Sequence, residues 1–220
     1  MLLEFRVITR SDNSKNGLKP FMLEFFMREC SGILHIGGHT GQEAKYYSTL
    51  QKPVIWIEGN PQVFEDLHRH VTKFHQVAIQ ALISDNAVSE IDFYLTSNNS
   101  ESASIFPLSR NSSWDDLTNT GMIRLPVTRL DSLLATVETF ACDFWVIDVQ
   151  GAELQVIRSA GKYLTNYCKF ILIEISTSEY YDGGAIWDDV REEMRRQGFL
   201  NLWSPNSTHE EVLFVNTKPN

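Results

Sequence analysis

The fold is decided by residues 31–60, which have the sequence SGILHIGGHTGQEAKYYSTLQKPVIWIEGN. The apolar run at 33–36 predicts a short buried strand. The glycines that follow it predict a tight turn: Gly37, Gly38 and Gly41. The segment GQEAKYYSTL, which begins at Gly41, has good helix formers and no internal breaker. The turn is therefore expected to lead directly into a helix.

A second apolar run completes this stretch. Residues 54–57 predict another buried strand, which stops at Glu58. A carboxylate about twenty residues after a glycine turn is typical of dinucleotide-type folds. Glycines let backbone N–H groups approach a ligand, a helix N-terminus adds partial positive charge, and Glu58 can accept both hydroxyl protons of a ribose. The stretch therefore predicts a nucleoside-cofactor site.

The spacing of the glycines narrows the choice of cofactor. Nicotinamide and flavin fingerprints have the pattern G-x-G-x-x-G, but Ile36 occupies the first glycine position here. The observed order, His35-x-Gly37-x-x-x-Gly41, is closer to the pattern of S-adenosylmethionine enzymes. A structural interpretation stays open beside it, in which the glycines form only a strand-to-helix turn and Glu58 is a solvated strand end.

Composition sets limits on the class of protein. The 220 residues are 43% hydrophobic and 21% charged, which is ordinary for a globular enzyme of one domain. The formal net charge of −9, without any basic run, argues against nucleic acid as the main partner. No run approaches the ~20 apolar residues of a membrane span, and the charged N-terminus is unlike a signal peptide. The three cysteines show neither disulfide nor zinc spacing. We expect a cytoplasmic protein without membrane insertion.

Helical and strand patterns alternate along the rest of the chain. Helices are expected at 20–29, 61–74, 132–137, 154–164 and 186–196, and strands at 75–84, 91–95, 122–128, 143–149, 170–175, 199–203 and 211–215. The first helix repeats apolar residues at Phe21, Met22, Phe25 and Phe26. We expect 75–84 to be one buried strand that pairs with 91–95 through a turn. We also expect Asp131 to cap the helix at 132–137.

This alternation predicts the α/β class, with a doubly wound, mostly parallel seven-stranded sheet and an antiparallel terminal hairpin. By fold analogy, a reversed last strand in such a sheet is the mark of the class I methyltransferase (Rossmann-like) type. We expect residues 1–220 to form a single domain. Residues 1–30 would be an N-terminal extension and helix, with a strand at 3–8, and residues 31–220 the Rossmann-like core.

Several strands end in polar side chains, and ligands of open α/β sheets bind beyond the carboxyl ends of the strands. Asp148 and Glu174 stand late in apolar runs, where an unpaired carboxylate is costly to bury. Both therefore need a partner, a cavity or a ligand. For Asp148 the structural alternative is a helix cap, and Glu153 fits best as a first-turn partner of the helix dipole.

Five segments in this order resemble the FkbM family of S-adenosylmethionine-dependent methyltransferases: HIGGHTGQEAKYY, VIWIEGNP, RLDSLL, DFWVIDVQGAEL and FILIEIS with the later YYDGG. The resemblance extends from about Gly32 to about Phe199, and IDVQGAEL at 147–154 with EIS at 174–176 is its most specific part. The family typically methylates hydroxyl groups on sugars or secondary-metabolite scaffolds. The resemblance thus implies S-adenosylmethionine as cofactor and a small-molecule or glycan acceptor.

The resemblance also implies roles for individual residues. The turn of Gly37, Gly38 and Gly41 would hold the methionine part of the cofactor, Glu58 the ribose, and Ala81 and Leu82 the adenine. Asp148 and Gln150 would face the methyl group and the acceptor. We count His35 and Asn60 with the cofactor-binding residues, although Asn60 before Pro61 also has the pattern of a helix N-cap. Many relatives carry an acidic residue at the position of His35, so this contact is in question, and a structural role for His35 stays open.

The chemistry needs an aligned acceptor oxygen, exclusion of water and a general base. Asp148 is the first candidate for the base, with His39 and Glu174 after it; His39 could instead only hydrogen-bond the backbone of its turn. A divalent cation on the carboxylates is an alternative, although no residue pattern requires a metal. The irregular segment 96–121 is either a lid over the site or a surface excursion, and Tyr180 and Tyr181 either line the acceptor pocket or only pack.

Three functions remain in competition. The first is an S-adenosylmethionine-dependent O-methyltransferase that acts on a hydroxyl of a carbohydrate or secondary metabolite. The second is a non-catalytic cofactor-binding or partner module of the same fold. The third is an NAD-linked oxidoreductase, which the glycine spacing disfavours and for which no Tyr-x-x-x-Lys pair is present, since Tyr163 is followed four residues later by Tyr167.

Overall fold

The computed structural model describes residues 18–110, 116–137 and 141–218. The strand expected at 3–8 lies outside these ranges. The first described element is helix α1 (Leu18–Glu29), followed by β1 (Ile33–Ile36), α2 (Ala44–Leu50), β2 (Val54–Glu58), α3 (Pro61–Val71), a single 3-10 turn and β3 (Val77–Gln80). Next come β4 (Leu82–Ile83), β5 (Glu90–Thr96), β6 (Asn119–Thr128) and α4 (Leu130–Leu134). The chain then forms β7 (Phe144–Ile147), α5 (Glu153–Ser159), α6 (Lys162–Tyr167), β8 (Phe170–Ser176), α7 (Trp187–Arg196), β9 (Phe199–Asn201) and β10 (His209–Asn216).

Seven strands of the described chain form the main sheet, in the order β3-β2-β1-β7-β8-β10-β9. The pairs from β3 to β8 are parallel, whereas β10 runs antiparallel to both β8 and β9. The order changes direction between β1 and β7, and ligands bind at such a switch point in open α/β sheets. The predicted class I methyltransferase type of sheet, with its antiparallel end, is confirmed.

Apolar side chains alternate between the two faces of this sheet. Leu34, Ile36 and Ile147 belong to the core under α4 to α7, whereas Ile33, Trp56 and Val146 belong to the core under α1 to α3. Strands buried on both faces are nearly continuous in apolar residues, which is why they were readable from the sequence. None of the helices in the described ranges combines the length and apolar character that a membrane crossing needs.

The region between β3 and β6 differs most from the prediction. Residues 75–84 do not form one buried strand: β3 is the partly exposed edge of the main sheet, and β4 leaves it to join a second sheet in the order β4-β6-β5. The expected hairpin between 75–84 and 91–95 is also wrong, because β6 lies between β4 and β5 and pairs with both. Local alternation could not identify the partner of β5, since that partner is about thirty residues further along the chain.

Helix boundaries and faces required smaller corrections. Helix α1 is present, but its buried residues are Leu23 and Met27, while Phe21 and Phe25 are 69% and 51% exposed. Helix α2 begins at Ala44 rather than Gly41, because Gly41 has φ +74°. The helix expected over 154–164 is split into α5 and α6 at Gly161, whose φ is +53°.

Asp131 is not the N-cap of its helix. Arg129 holds that position, and Asp131 lies inside the first turn of α4, where its carboxylate pairs with the Arg129 guanidinium at 2.9 Å. Asn60, by contrast, caps α3 as expected, with its Oδ1 accepting a hydrogen bond from the backbone N–H of Gln62 at 3.1 Å.

Candidate active site

The polar residues that follow β1, β2, β7 and β8 meet at the carboxyl edge of the main sheet. A cavity of about 1090 Å³ opens there and is lined by Gly37, Glu58, Asp148 and Glu174, among others. A smaller arm of about 340 Å³ shares several of these residues and extends between α1 and α2 over His35. The structure therefore brings polar residues that the sequence singled out together around one cavity.

The glycine turn is shaped by close contacts with its neighbours. Gly37 has φ +87°, and a Cβ there would lie 1.6 Å from the carbonyl oxygen of Asp148. The N–H groups of Gly37 and Gly38 donate to the carbonyl of Ile57 at 2.9 and 3.1 Å. A Cβ on Gly41 would lie 2.8 Å from Val71 of α3. The glycines thus let the turn pack against β7 and α3, and the first two N–H groups are used within the protein rather than free for a ligand.

Glu58, the last residue of β2, holds two neighbouring backbone segments through its carboxylate. Its side chain is buried, and it accepts the backbone N–H of His39 at 2.9 Å and that of Asn60 at 2.7 Å. Burial raises the pKa of Glu58 to about 7, against the opposing effect of these hydrogen bonds. The alternative of a solvated strand end is therefore excluded. Asn60 itself is buried and acts as the α3 cap, so it supports Glu58 through its backbone.

Beyond Glu58 the lining of the cavity becomes apolar. Ala81 and Leu82, which the resemblance assigned to the adenine, line this end. The Ala81 N–H donates to the Glu58 carbonyl at 3.0 Å, which fixes the chain where it leaves the main sheet. The other apolar side chains here come from the second sheet and its surroundings: Ile83, Phe93, Ile105 and Ala152. An apolar pocket next to a buried carboxylate fits an adenosine group.

His35 has a structural environment. Its ring is 6% exposed and stacks on Trp56 with 4.5 Å between ring centroids, and its Nδ1 lies 3.2 Å from the Tyr47 hydroxyl. Burial lowers the pKa of His35 to about 3, so the imidazole is neutral. His35 lines the smaller arm of the cavity. A neutral ring held by Tyr47 and Trp56 gives the site no charge at this position.

His39 lines the cavity, and its polar groups contact Glu58 and Asn99. Its backbone has φ +42°, its N–H binds Glu58, and its Nε2 lies 3.2 Å from the carbonyl oxygen of Asn99. Within the described residues its Nδ1 is buried without a hydrogen-bond partner. These contacts connect the glycine turn to the segment that begins at residue 96.

Asp148, Gln150 and Glu174 form a connected group at the other end of the cavity. The Gln150 side-chain nitrogen donates to Asp148 Oδ1 and to Glu174 Oε2, each at 2.6 Å. Gln150 has φ +56°, and its side-chain oxygen lies 2.6 Å from the Tyr181 hydroxyl. The predicted site residues of β7 and β8 are thus brought together by an amide that holds both carboxyl groups in place.

The two carboxyl groups differ in protonation. Burial, the charge of Glu174 and the hydrogen bond that protonated Asp148 donates to Glu174 raise the pKa of Asp148 well above its usual range. Burial alone would also raise the pKa of Glu174, but the hydrogen bond and charge of His209, together with hydrogen bonds of Asp148 and Gln150, outweigh it, and the pKa of Glu174 is lowered. Like charges at short distance share one proton in this way. Asp148 therefore holds the proton, and Glu174 is the ionised member.

Glu153 has the structural role that its position at the start of α5 indicated. It is buried, and its Oε1 accepts the N–H groups of Gly151 at 3.1 Å and Val149 at 3.3 Å. Burial raises the pKa of Glu153 to about 7. The residue fixes the corner that carries Gln150.

The two tyrosines of YYDGG are buried rather than exposed on a loop. Tyr180 lines the cavity, and its hydroxyl donates to Thr208 Oγ1 at 2.9 Å. Tyr181 packs on Gly151, where a Cβ would lie 2.9 Å from its ring, and its hydroxyl also lies 3.1 Å from the Ser102 carbonyl. Tyr180 thus belongs to the cavity wall, whereas Tyr181 supports Gln150.

Part of the segment 96–121 lies over the cavity. The lining includes Asn98, Ser100, Glu101, Ser102, Ala103 and Ile105. Contacts of His39 with Asn99 and of Gln42 with Glu101 hold this part against the glycine turn. Residues 111–115 are outside the described ranges, and β6 already begins at Asn119. A lid is therefore consistent with the position of 98–105 and remains a proposal.

The sequence analysis did not predict one wall of the cavity, which is formed by residues near the two ends of the described chain. Lys19 of α1 and residues 206–211 at the start of β10 line the cavity, together with Trp203. Lys19 forms an ion pair with Glu210, and its Nζ lies 5.7 Å from the centre of the Trp203 ring. His209 lies 3.0 Å from Glu174. A detectable signal was the polar run STHEE at 207–211, whose last three residues open β10, but only the antiparallel register of β10 with β8 brings His209 to Glu174.

Among the described residues, no group of three or more His, Cys, Asp or Glu side chains is arranged to hold a metal ion. The carboxylates are instead held by Gln150 and His209.

Comparison with known proteins shows the family of the chain. The family model of the methyltransferase FkbM domain matches residues 35–200. A search of curated proteins gave no match. Among solved structures, the chain is similar to the fibrillarin pre-rRNA processing protein of Methanococcus jannaschii, with a TM-score of 0.54 and 13% identity over 88% of this chain and 69% of that one.

Two further structures share the fold. Aeropyrum pernix fibrillarin, crystallised with natively bound S-adenosyl-L-methionine, has a TM-score of 0.50 and 13% identity over 84% of this chain and 66% of that one. Monomeric WbdD has a TM-score of 0.53 and 11% identity over 94% of this chain and 42% of that one. At such identities these structures show the fold alone.

The family match and the geometry agree. The matched region contains the glycine turn, Glu58, the apolar pocket at Ala81 and Leu82, and both carboxylates of the opposite end. The buried Glu58 and the apolar pocket fit the adenosine of S-adenosylmethionine, and the oxidoreductase interpretation is set aside. The chain belongs to the FkbM family and is an S-adenosylmethionine-dependent methyltransferase.

Proposed function

We propose that this enzyme transfers the methyl group to a hydroxyl of a carbohydrate or a secondary metabolite. One observation carries the proposal: a single cavity joins the adenosine-binding groups around Glu58 to the carboxyl pair of Asp148 and Glu174. When bound, S-adenosylmethionine supplies a methyl group already activated by its sulfonium. The protein then has to hold the nucleoside, align an acceptor oxygen and take up its proton.

The residues divide these tasks between the two ends of the cavity. Glu58 would hold the ribose, Ala81 and Leu82 would flank the adenine, and the turn around Gly37 would border the methionine part. At the other end Glu174 is the ionised carboxylate, so we propose it as the group that accepts the proton of the hydroxyl. Asp148, which the sequence placed first for this role, is the protonated partner that can donate a hydrogen bond. A general base of this kind typically contributes ~10²–10⁴-fold.

The charge of the acceptor end supports an uncharged acceptor. Its wall carries the basic side chains Lys19 and His209, and each is paired with a carboxylate, Lys19 with Glu210 and His209 with Glu174. The lining therefore offers little positive charge to a phosphate group, which disfavours RNA as the acceptor even though one structural neighbour is a pre-rRNA processing protein. The three cysteines are buried thiols, which supports a cytoplasmic location as part of the proposal.

The test is transfer of a tritiated methyl group from S-adenosylmethionine to a panel of methyl glycosides and hydroxylated aromatic compounds, with a short RNA duplex and single strand alongside. We expect label in one of the uncharged hydroxyl compounds and none in RNA. Label in RNA alone would overturn the small-molecule assignment. Cofactor binding without transfer to any compound would favour the non-catalytic module of the same fold.

A further inference from the structure

His209 stands beside the catalytic carboxylates on a strand that neither the sequence motifs nor the family match include. The match ends at residue 200, whereas His209 is the first residue of β10. In the antiparallel register of β10 and β8, His209 pairs with Ser176 and Glu211 pairs with Glu174. This places the imidazole diagonally next to the Glu174 carboxylate, on the wall of the cavity.

Both ring nitrogens of His209 have partners. Nε2 lies 3.0 Å from Glu174 Oε1, and Nδ1 lies 2.9 Å from Ser176 Oγ. The Tyr180 ring, 5.7 Å away between centroids, covers one side of the imidazole. A histidine held at both nitrogens is not free to take a proton from an acceptor. It can instead fix the position and the charge of Glu174.

The need for such a partner follows from the surroundings of Glu174. Titratable or charged groups face it from every neighbouring element: Asp148 after β7, Glu153 of α5, Tyr181 of the loop after β8, and His209 and Glu211 of β10. The charges of the other carboxyl groups disfavour a charge on Glu174, whereas His209 favours it most strongly and the hydrogen bonds of Asp148 and Gln150 add to that effect. Without His209, the proton that the pair shares is expected to shift towards Glu174.

We propose that His209, oriented by Ser176, is a positioning residue that keeps Glu174 ionised and thereby selects Glu174 rather than Asp148 as the proton acceptor. The inference rests on the proposed O-methyl transfer. In the step concerned, the O–H bond of the acceptor would break and its proton would pass to a free lone pair of a Glu174 carboxylate oxygen. The electron pair left on the acceptor oxygen would form the new bond to the methyl carbon, while the carbon–sulfur bond breaks with its electron pair on sulfur and S-adenosylhomocysteine leaves. Gln150 keeps the protonated Asp148 beside it throughout.

The first part of the test does not depend on any acceptor. Carbon-13 NMR of the carboxyl groups, assigned with Glu174→Gln and Asp148→Asn, follows the titration of each group. We expect Glu174 to titrate below Asp148 in the wild-type protein. His209→Gln keeps a donor for Glu174 but removes the charge, so the pKa of Glu174 should rise by about 1–3 units. His68→Gln, on the exposed side of α3, is the matched control and should change nothing.

The second part uses an acceptor found in the methyl-transfer panel. We expect the acid limb of the pH–rate profile to move to higher pH in His209→Gln, with little change in the affinity for S-adenosylhomocysteine. Asp148→Asn, which imitates the protonated carboxyl, should keep more activity than Glu174→Gln. An unchanged Glu174 titration in His209→Gln, or greater activity of Glu174→Gln than of Asp148→Asn, would overturn the inference. Because the titration is measured without transfer, its result is separate from the outcome of the methyl-transfer panel.

Discussion

Glu58 combines two properties that rarely coincide in one carboxylate. It is buried, which raises its pKa to about 7, and it lines the cavity where the proposed ribose hydroxyls would donate to it. Hydrogen bonds from a ribose favour the ionised form, so they lower the pKa of Glu58 on binding. Cofactor affinity and proton release should therefore be linked at this residue.

We expect S-adenosylhomocysteine to release about half a proton per molecule bound at pH 7, because a group with a pKa of about 7 is half protonated there. Affinity should accordingly rise with pH between about 6 and 8. Glu58→Gln should abolish the release and weaken binding by about tenfold or more, the effect expected of hydrogen bonds to a charged group. Calorimetry in buffers of different ionisation enthalpy measures both quantities.

The matched control for this experiment is Glu153→Gln. Glu153 is equally buried, has a pKa of about 7 and accepts backbone N–H groups, but it is absent from the lining of the cavity. Its replacement should leave proton release intact. Equal release by wild type and Glu58→Gln would remove Glu58 from the ribose contact.

At the residue scale, the sequence predicted polar residues at or near the carboxyl end of a strand, such as Glu58, Asp148 and Glu174. Their position is set by local periodicity together with the rule for strand ends. His209 and Lys19 were missed because their neighbours in space are 35 and 191 residues away along the chain, at Glu174 and Glu210. For His35 the sequence did not show the environment of the side chain. Its spacing is that of a cofactor-binding residue, but its ring stacks on Trp56 of β2 and lies next to the Tyr47 hydroxyl of α2.

At the scale of elements, the β1–α2 turn is the point where the chain tolerates least change. We expect Gly37→Ala to destabilise the protein by more than ~4 kcal/mol, because its positive φ and the Asp148 carbonyl both exclude a Cβ. Gly198→Ala tests the backbone effect alone, since Gly198 has φ +89° but no atom within 4 Å of an added Cβ. It should cost ~1–2 kcal/mol. Urea denaturation of the two variants compares them, and equal losses would show that the contact with β7 does not restrict the turn.

The elements also show where pattern reading fails. The central strands were predictable because each is apolar on both faces and lies between helices. The segment from β3 to β6 was not predictable, because β4 has only two residues and pairs with β6, which follows β5 in the sequence. The second sheet supplies much of the apolar wall opposite Glu58, so the adenine end could be placed from the sequence only by family resemblance.

At the scale of the whole molecule, the two ends of the described chain close the acceptor side of the cavity. Lys19 of α1 pairs with Glu210 of β10, and Glu210 also accepts the N–H of Asn206 at 2.7 Å, which shapes the turn before β10. The proposed adenosine side, by contrast, is made from β2 and the second sheet, which includes β4. In this proposal cofactor and acceptor contact walls of different origin, so binding of the cofactor alone should stabilise the fold without any acceptor.

A thermal-shift comparison of S-adenosylmethionine, S-adenosylhomocysteine and NAD⁺ tests this expectation. A ligand at a hundredfold excess over Kd stabilises the native state by ~2.7 kcal/mol, which for a chain of this length raises Tm by ~5–10 °C. Both adenosyl ligands share the ribose and adenine that Glu58 and the apolar pocket fit, so both should produce the shift. NAD⁺ should not, because its diphosphate needs free N–H groups in the glycine turn, whereas those of Gly37 and Gly38 already bind Ile57. A shift with NAD⁺ as large as that with S-adenosylhomocysteine would show that the turn rearranges to accept a diphosphate. The hydrogen bonds that now define the turn would then have to break on binding.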